Sequence, residues 1–144
     1  MGKEKAKKTG MTVPRRVLVV EDDAILALAI EDALQDVGVE DVVICGSTEQ
    51  ALKALRAERP DAMILDVHLA DRDDGWALAE LVDRVGPNPP RIVFSTAAPQ
   101  DIPEEIAQLG AILEKPYDTQ VLGQLLLQEK KTGIIGRLKS ALTS

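Results

Sequence analysis

Short apolar runs punctuate the chain at Val17 to Val20, Val42 to Cys45, Ala62 to Leu65, Ile92 to Phe94 and Ala111 to Leu113. They are continuous and do not alternate with polar residues, which is the pattern of parallel strands covered on both faces. Longer segments with helical spacing lie between them. Ala27, Ile30, Leu34 and Val37 recur at that spacing, and Gly38 follows as a stop. Thr48 stands before a segment that turns Ala51, Leu52 and Leu55 inward and closes before Pro60. Gly75 to Val85 carries Leu78, Leu81 and Val82, then breaks in Gly86-Pro87-Asn88-Pro89-Pro90. A weak, short helix is expected around Ile102 to Leu109, and a last one from Asp118 carries Val121, Leu122, Leu125 and Leu126.

A strand followed by a helix, repeated along the chain, predicts the α/β class. Right-handed crossovers make the sheet parallel and place helices on both of its faces. The five strands are too few for a closed eight-stranded barrel, so a doubly wound, open five-stranded sheet remains. The 144 residues suit one domain, which the pattern places at 14–130. Before it, residues 1–13 form a polar, basic stretch with Lys3, Lys5, Lys7 and Lys8, expected to be a disordered arm. After it, residues 131–144 read either as a frayed end or as a short amphipathic helix with Ile134, Ile135, Leu138 and Leu142 on one face. Gly133 and Gly136 oppose that helix by about 1 kcal/mol each.

Composition narrows the function. Aromatics make up only 2% of the chain, so the core is aliphatic and the case for base stacking on an aromatic platform is weak. The net charge of −7 argues against a general nucleic-acid binder, which needs a basic face. The single cysteine, Cys45, excludes an intrachain disulfide and a cysteine-based zinc site, and its place at the end of an apolar run predicts a small buried thiol. No apolar stretch approaches membrane-spanning length, and no hydrophobic segment follows the lysine-rich start. A cytoplasmic protein without membrane insertion is expected.

Open α/β sheets bind ligands at the carboxyl ends of their strands. There, strand one runs into Glu21-Asp22-Asp23, strand three into Asp66, strand four into Ser95-Thr96 and strand five into Lys115-Pro116. Several carboxylates drawn together repel one another unless a cation sits among them. Mg²⁺ suits the set better than Zn²⁺, because it prefers oxygen ligands, no cysteine is near, and the sole histidine lies two residues beyond Asp66. A carboxylate beside such a metal can attack phosphorus, and Asp66, ending the middle strand, is the candidate nucleophile. Lys115 would neutralise charge on the transferring group, and Thr96 would hydrogen-bond one of its oxygens.

These stretches together resemble the receiver (CheY-like) domain of two-component response regulators, over about residues 15–128. They are Val17-Leu-Val-Val-Glu-Asp-Asp23, Pro60-Asp-Ala-Met-Ile-Leu-Asp66 followed by Gly75, Phe94-Ser-Thr-Ala97 and Glu114-Lys-Pro-Tyr117. The resemblance implies a flavodoxin-like (βα)5 fold with strand order 2-1-3-4-5. It implies that Glu21 and Asp22 are the metal-binding acidic pair, that Asp66 is the phosphoacceptor and also a metal ligand, and that His68 offers its backbone carbonyl to the metal. Thr96 matches the switch hydroxyl and Lys115 the phosphate-contacting lysine. The Lys115-Pro116 bond is expected to be cis, as in the family. Ser95 should point away from Thr96, since neighbours along a strand alternate.

The implied function is that of a single-domain response regulator. A sensor histidine kinase or a phosphotransfer protein would supply the phosphoryl group, and a downstream protein would read the change, or the chain would act as a phosphate sink. On this view it is a switch that assists its own phosphorylation and hydrolysis, not an enzyme acting on a free metabolite. Phe94-Ser-Thr-Ala97 is also similar to a Phe-Ala-Thr-Gly variant of some single-domain bacterial regulators. Two departures stand out. Ile112 occupies the strand-five position where many receivers carry Tyr or Phe, and Pro99 and Pro103 should leave the fourth helix stunted. A haloacid-dehalogenase-type phosphatase would need a second acid where His68 stands, and a flavin domain would be repelled by Glu21-Asp22-Asp23. A receiver-like adaptor that is never phosphorylated is the alternative.

Overall fold

The computed structural model describes residues 13–69 and 74–127. The strands are β1 (Arg16–Val20), β2 (Asp41–Cys45), β3 (Ala62–Leu65), β4 (Arg91–Thr96) and β5 (Ala111–Glu114). The helices are α1 (Ala24–Asp36), α2 (Thr48–Ala57), α3 (Ala77–Arg84), α4 (Glu104–Ala107) and α5 (Gln120–Leu127), with a 3-10 turn at Pro99–Asp101. All strand pairs are parallel, and the order is β2-β1-β3-β4-β5. This is the expected doubly wound, flavodoxin-like arrangement.

Alternation along the strands divides the core into two layers. Leu18, Val20, Met63, Leu65, Ile92 and Phe94 face one way and pack with Ala51, Leu78, Val82 and Ile106, from α2, α3 and α4. Val17, Val19, Ala62, Ile64 and Val93 face the other way, against Ile30 and Leu34 of α1 and Leu122 and Leu126 of α5. Every residue of β1 and β3 is buried, which is why these strands read as unbroken apolar runs.

Local signals set the boundaries. Asp23 caps α1, its Oδ1 accepting from the N–H of Ile25 at 3.0 Å and of Leu26 at 3.2 Å. Gly38 follows at φ 104°, a left-handed conformation that glycine adopts without a Cβ penalty. Ser47, rather than Thr48, caps α2 by accepting from the N–H of Gln50 at 3.2 Å, and Thr48 becomes its first, buried residue. α5 begins at Gln120, whose N–H donates to Asp118 Oδ1 at 3.0 Å.

Three further details differ from the pattern or sharpen it. Leu81 fits the helical period of α3, but it is 45% exposed while Leu78 and Val82 are buried. An eight-residue helix offers the sheet only a narrow face, and Leu78, Ala79 and Val82 fill it. The fourth helix is stunted as expected, with four residues after Pro103. Val13, assigned to the arm by pattern, packs against the α1–α5 layer. The remainder of the arm, residues 128–130 and the 131–144 tail lie outside the described residues. Cys45 is buried, as expected. Among the described residues, no helix is long and apolar enough to cross a membrane.

Candidate functional site

The site stands where β1, β3, β4 and β5 end. Glu21 follows β1 directly, and its N–H donates to the carbonyl of Cys45 at 2.9 Å, extending the β1–β2 ladder by one residue. Asp66 follows β3, and its N–H donates to the carbonyl of Val20 at 2.9 Å. Both acids are thereby fixed by the sheet. Asp66 is fixed further by glycine. A Cβ on Gly75 would lie 2.6 Å from the Asp66 carbonyl oxygen and 3.0 Å from that of Val67, so only a residue without one fits there. Gly75 N–H donates to Val67 O at 2.9 Å and closes the loop after β3.

The predicted acids meet. Carboxylate oxygens of Glu21, Asp22 and Asp66 lie within 4.8 Å of one another, with Glu21 and Asp66 buried and Asp22 exposed. Lys115 reaches into the group, its Nζ 2.8 Å from Glu21 Oε1 and 3.1 Å from Asp66 Oδ2. Lys115 is the one group that approaches the buried Oε1 of Glu21 among the described residues. The other oxygens are engaged: Glu21 Oε2 accepts from Asp23 N–H at 3.1 Å, and Asp66 Oδ1 from His68 N–H at 3.0 Å.

The electrostatics follow from this crowding. Burial pushes the Glu21 carboxyl up to about 7; Lys115 and the Asp23 N–H oppose the rise and the Asp66 charge adds to it. Burial alone would lower the Lys115 ammonium, but contact with Glu21 and Asp66 outweighs it and holds the pKa above the ordinary lysine value. Two buried acids and the exposed Asp22 thus share one ammonium, leaving an excess of carboxylate oxygens over positive charge. An all-oxygen set of this kind fits a hard divalent cation such as Mg²⁺.

Thr96 and Ser95 diverge as alternation requires. Thr96 is fully buried, and its Oγ1 accepts from Ala98 N–H at 3.0 Å, so the hydroxyl faces its own loop. Ser95 Oγ instead meets the Tyr117 hydroxyl at 2.6 Å. Burial raises the Tyr117 pKa above its ordinary value, against the opposing bond to Ser95, so the phenol stays protonated. The main chains of β4 and β5 join at the site, where Lys115 N–H donates to Thr96 O at 2.8 Å. The Lys115-Pro116 peptide is cis, as expected.

Two side-chain links escaped the sequence reading. One is the Ser95–Tyr117 bond; only strand alternation hinted that Ser95 faced away from Thr96. The other joins His68 Nε2 and Asp101 Oδ2 at 2.9 Å, bridging the loop after β3 to the 3-10 turn after β4. No spacing rule connects those two positions.

Residues 17–127 match the response regulator receiver domain. The chain belongs to this family. The receiver is 32% identical over 108 residues to the transcriptional regulatory protein PdtaR of Mycobacterium tuberculosis, an alignment that covers 73% of this chain and 51% of PdtaR. It spans about half the length of the curated relatives it matches. Among solved structures, a CheY-like receiver domain from Methylobacillus flagellatus superimposes with a TM-score of 0.68 at 26% identity, covering 78% of this chain and 95% of that one. The receiver domain of the sensor histidine kinase PA1611 from Pseudomonas aeruginosa, solved with a magnesium ion coordinated in its active-site cleft, gives 0.63 at 28% identity, covering 78% and 93%.

Proposed function

We propose that this receiver accepts a phosphoryl group on Asp66 from a phosphohistidine of a sensor histidine kinase or phosphotransfer protein in the cytoplasm. The observation that carries this reading is Lys115 Nζ, set 3.1 Å from Asp66 Oδ2 and 2.8 Å from Glu21 Oε1 at the mouth of the sheet. A carboxylate oxygen of Asp66 attacks phosphorus, and the P–N bond to the donor imidazole breaks with its electron pair returning to nitrogen. The product is an acyl phosphate on the protein. Glu21, Asp22, Asp66 and the backbone carbonyl of His68 would hold Mg²⁺, which supplies positive charge for the oxygens of the transferring group. Lys115 supplies a second positive charge from just beyond β5. Thr96 turns its hydroxyl from Ala98 N–H toward the new phosphoryl oxygens, and that movement is carried to a downstream protein.

The test is incubation with a small-molecule phosphodonor and Mg²⁺, read by intact-protein mass. One phosphoryl adduct is expected on the unaltered chain and none on Asp66→Asn. An adduct of undiminished yield on the variant would refute the assignment. Absence of any adduct on the unaltered chain would favour the adaptor reading.

A further inference from the structure

The segment after β4 is a stiff piece of chain. Pro99 opens the 3-10 turn and Pro103 precedes α4, so φ is fixed at both ends of the stretch. Asp101 N–H donates to Ala98 O at 3.0 Å and Ile102 N–H to Pro99 O at 3.2 Å, which closes the turn on itself. Ile102 and Ile106 then seat the segment in the layer that holds Phe94. Such a piece moves largely as a unit.

Two contacts pin it to the mouth of the sheet. At one end, Ala98 N–H donates to Thr96 Oγ1 at 3.0 Å. At the other, Asp101 Oδ2 lies 2.9 Å from His68 Nε2. His68 follows β3, and its main-chain N–H donates to Asp66 Oδ1 at 3.0 Å. One residue therefore holds the acceptor carboxylate through its backbone and the turn through its ring. The first pin is given up in the phosphoryl transfer proposed above, where Thr96 turns away from Ala98. The second then decides whether the turn stays or leaves.

We propose that the His68–Asp101 bond is a latch that holds the turn after β4, and α4 with it, in the resting position. The latch makes the released arrangement less populated, so a ligand that needs that arrangement binds more weakly by the same factor. A phosphoryl group on Asp66 disturbs the Oδ1 bond that fixes the His68 main chain, and a displaced main chain carries the ring with it. The hold on the turn is independent of phosphoryl transfer; its use as a brake on switching rests on that reading.

The test uses the full-length chain and Asp101→Ala. Both side chains are partly exposed, 38% for His68 and 47% for Asp101, so the bond is modest. Its loss should lower the hydrogen-exchange protection of the Ala98, Ile102 and Ile106 amides by about two- to fivefold, with the amides of α1 unchanged as the control. Asp101→Asn keeps an acceptor oxygen and should retain the protection. His68→Ala should match Asp101→Ala, and the two together should add nothing further. Beryllofluoride with Mg²⁺, a phosphoryl mimic, should bind Asp101→Ala more tightly by about the same two- to fivefold. Unchanged protection in Asp101→Ala, or losses that add in the double variant, overturns the latch. Lower protection with no gain in affinity overturns its use as a brake. If the unaltered chain binds no beryllofluoride, the phosphoryl reading fails and the brake with it, while the exchange data still decide the latch.

Discussion

Glu21 is only 2% exposed and has the Lys115 ammonium 2.8 Å from its Oε1, yet its carboxyl still sits at about 7. Burial outweighs the single shared cation. An unfolded chain would show the ordinary value of 4.5, so between that pH and about 7 the folded protein binds the extra proton. Stability from this group therefore falls as pH rises through that window, by on the order of 3 kcal/mol for the whole shift. Urea unfolding without divalent ions at about pH 5 and about pH 8 should show the decline, and Glu21→Gln should flatten it. An equal decline in the variant would mean that other groups cause it.

A divalent cation held by Glu21 would compete with that proton. Stabilisation by Mg²⁺ should therefore grow as pH rises from about 5 to about 8, because the carboxyl must ionise before it can serve as a ligand. Asp22→Asn, at an exposed position, should weaken Mg²⁺ binding by about tenfold or more without loss of fold, by analogy with the sensitivity of other metal sites to altered ligand support. Thermal midpoints across a Mg²⁺ titration give both results. An increment that does not change with pH would contradict the assignment of Glu21.

Gly75→Ala should destabilise by about 1–3 kcal/mol, the usual range for forcing an extra carbon into a packed place. The added methyl would meet the Asp66 carbonyl oxygen at 2.6 Å, so the shift should also appear in the amide signals of Asp66 and His68. A fully stable variant with unmoved signals would show that the loop after β3 has slack.

Tyr117→Phe should cost about 1–3 kcal/mol, because it leaves the buried Ser95 hydroxyl without its partner at 2.6 Å. Combining it with Ser95→Ala should recover part of the loss, since both polar groups then disappear. Additive losses in the double variant would show that the two hydroxyls are not coupled.

Much of this was legible in the sequence because the central strands are covered on both sides. Continuous burial turned β1 and β3 into apolar runs, and the residues ending those runs, Glu21 and Asp66, had to share one edge. Lys115 was found in the same way. Leu81 misled because it keeps the helical period, while the narrow contact face of α3 is already filled. The cap of α2 was misplaced by one residue because Ser47 and Thr48 carry the same chemistry. The His68–Asp101 and Ser95–Tyr117 links were invisible for another reason. Each depends on where side chains from separate loops point once the sheet has brought them together, and periodicity holds no information about that.

The backbone bond from Lys115 N–H to Thr96 O, at 2.8 Å, yokes the last rungs of two neighbouring strands. The rung joins main chains only, so the Thr96 hydroxyl and the Lys115 ammonium can each turn without breaking it, whereas a shift of either backbone is shared by both strands. A displacement of the main chain at Thr96 would therefore pass directly to β5, the edge strand that carries Ile112.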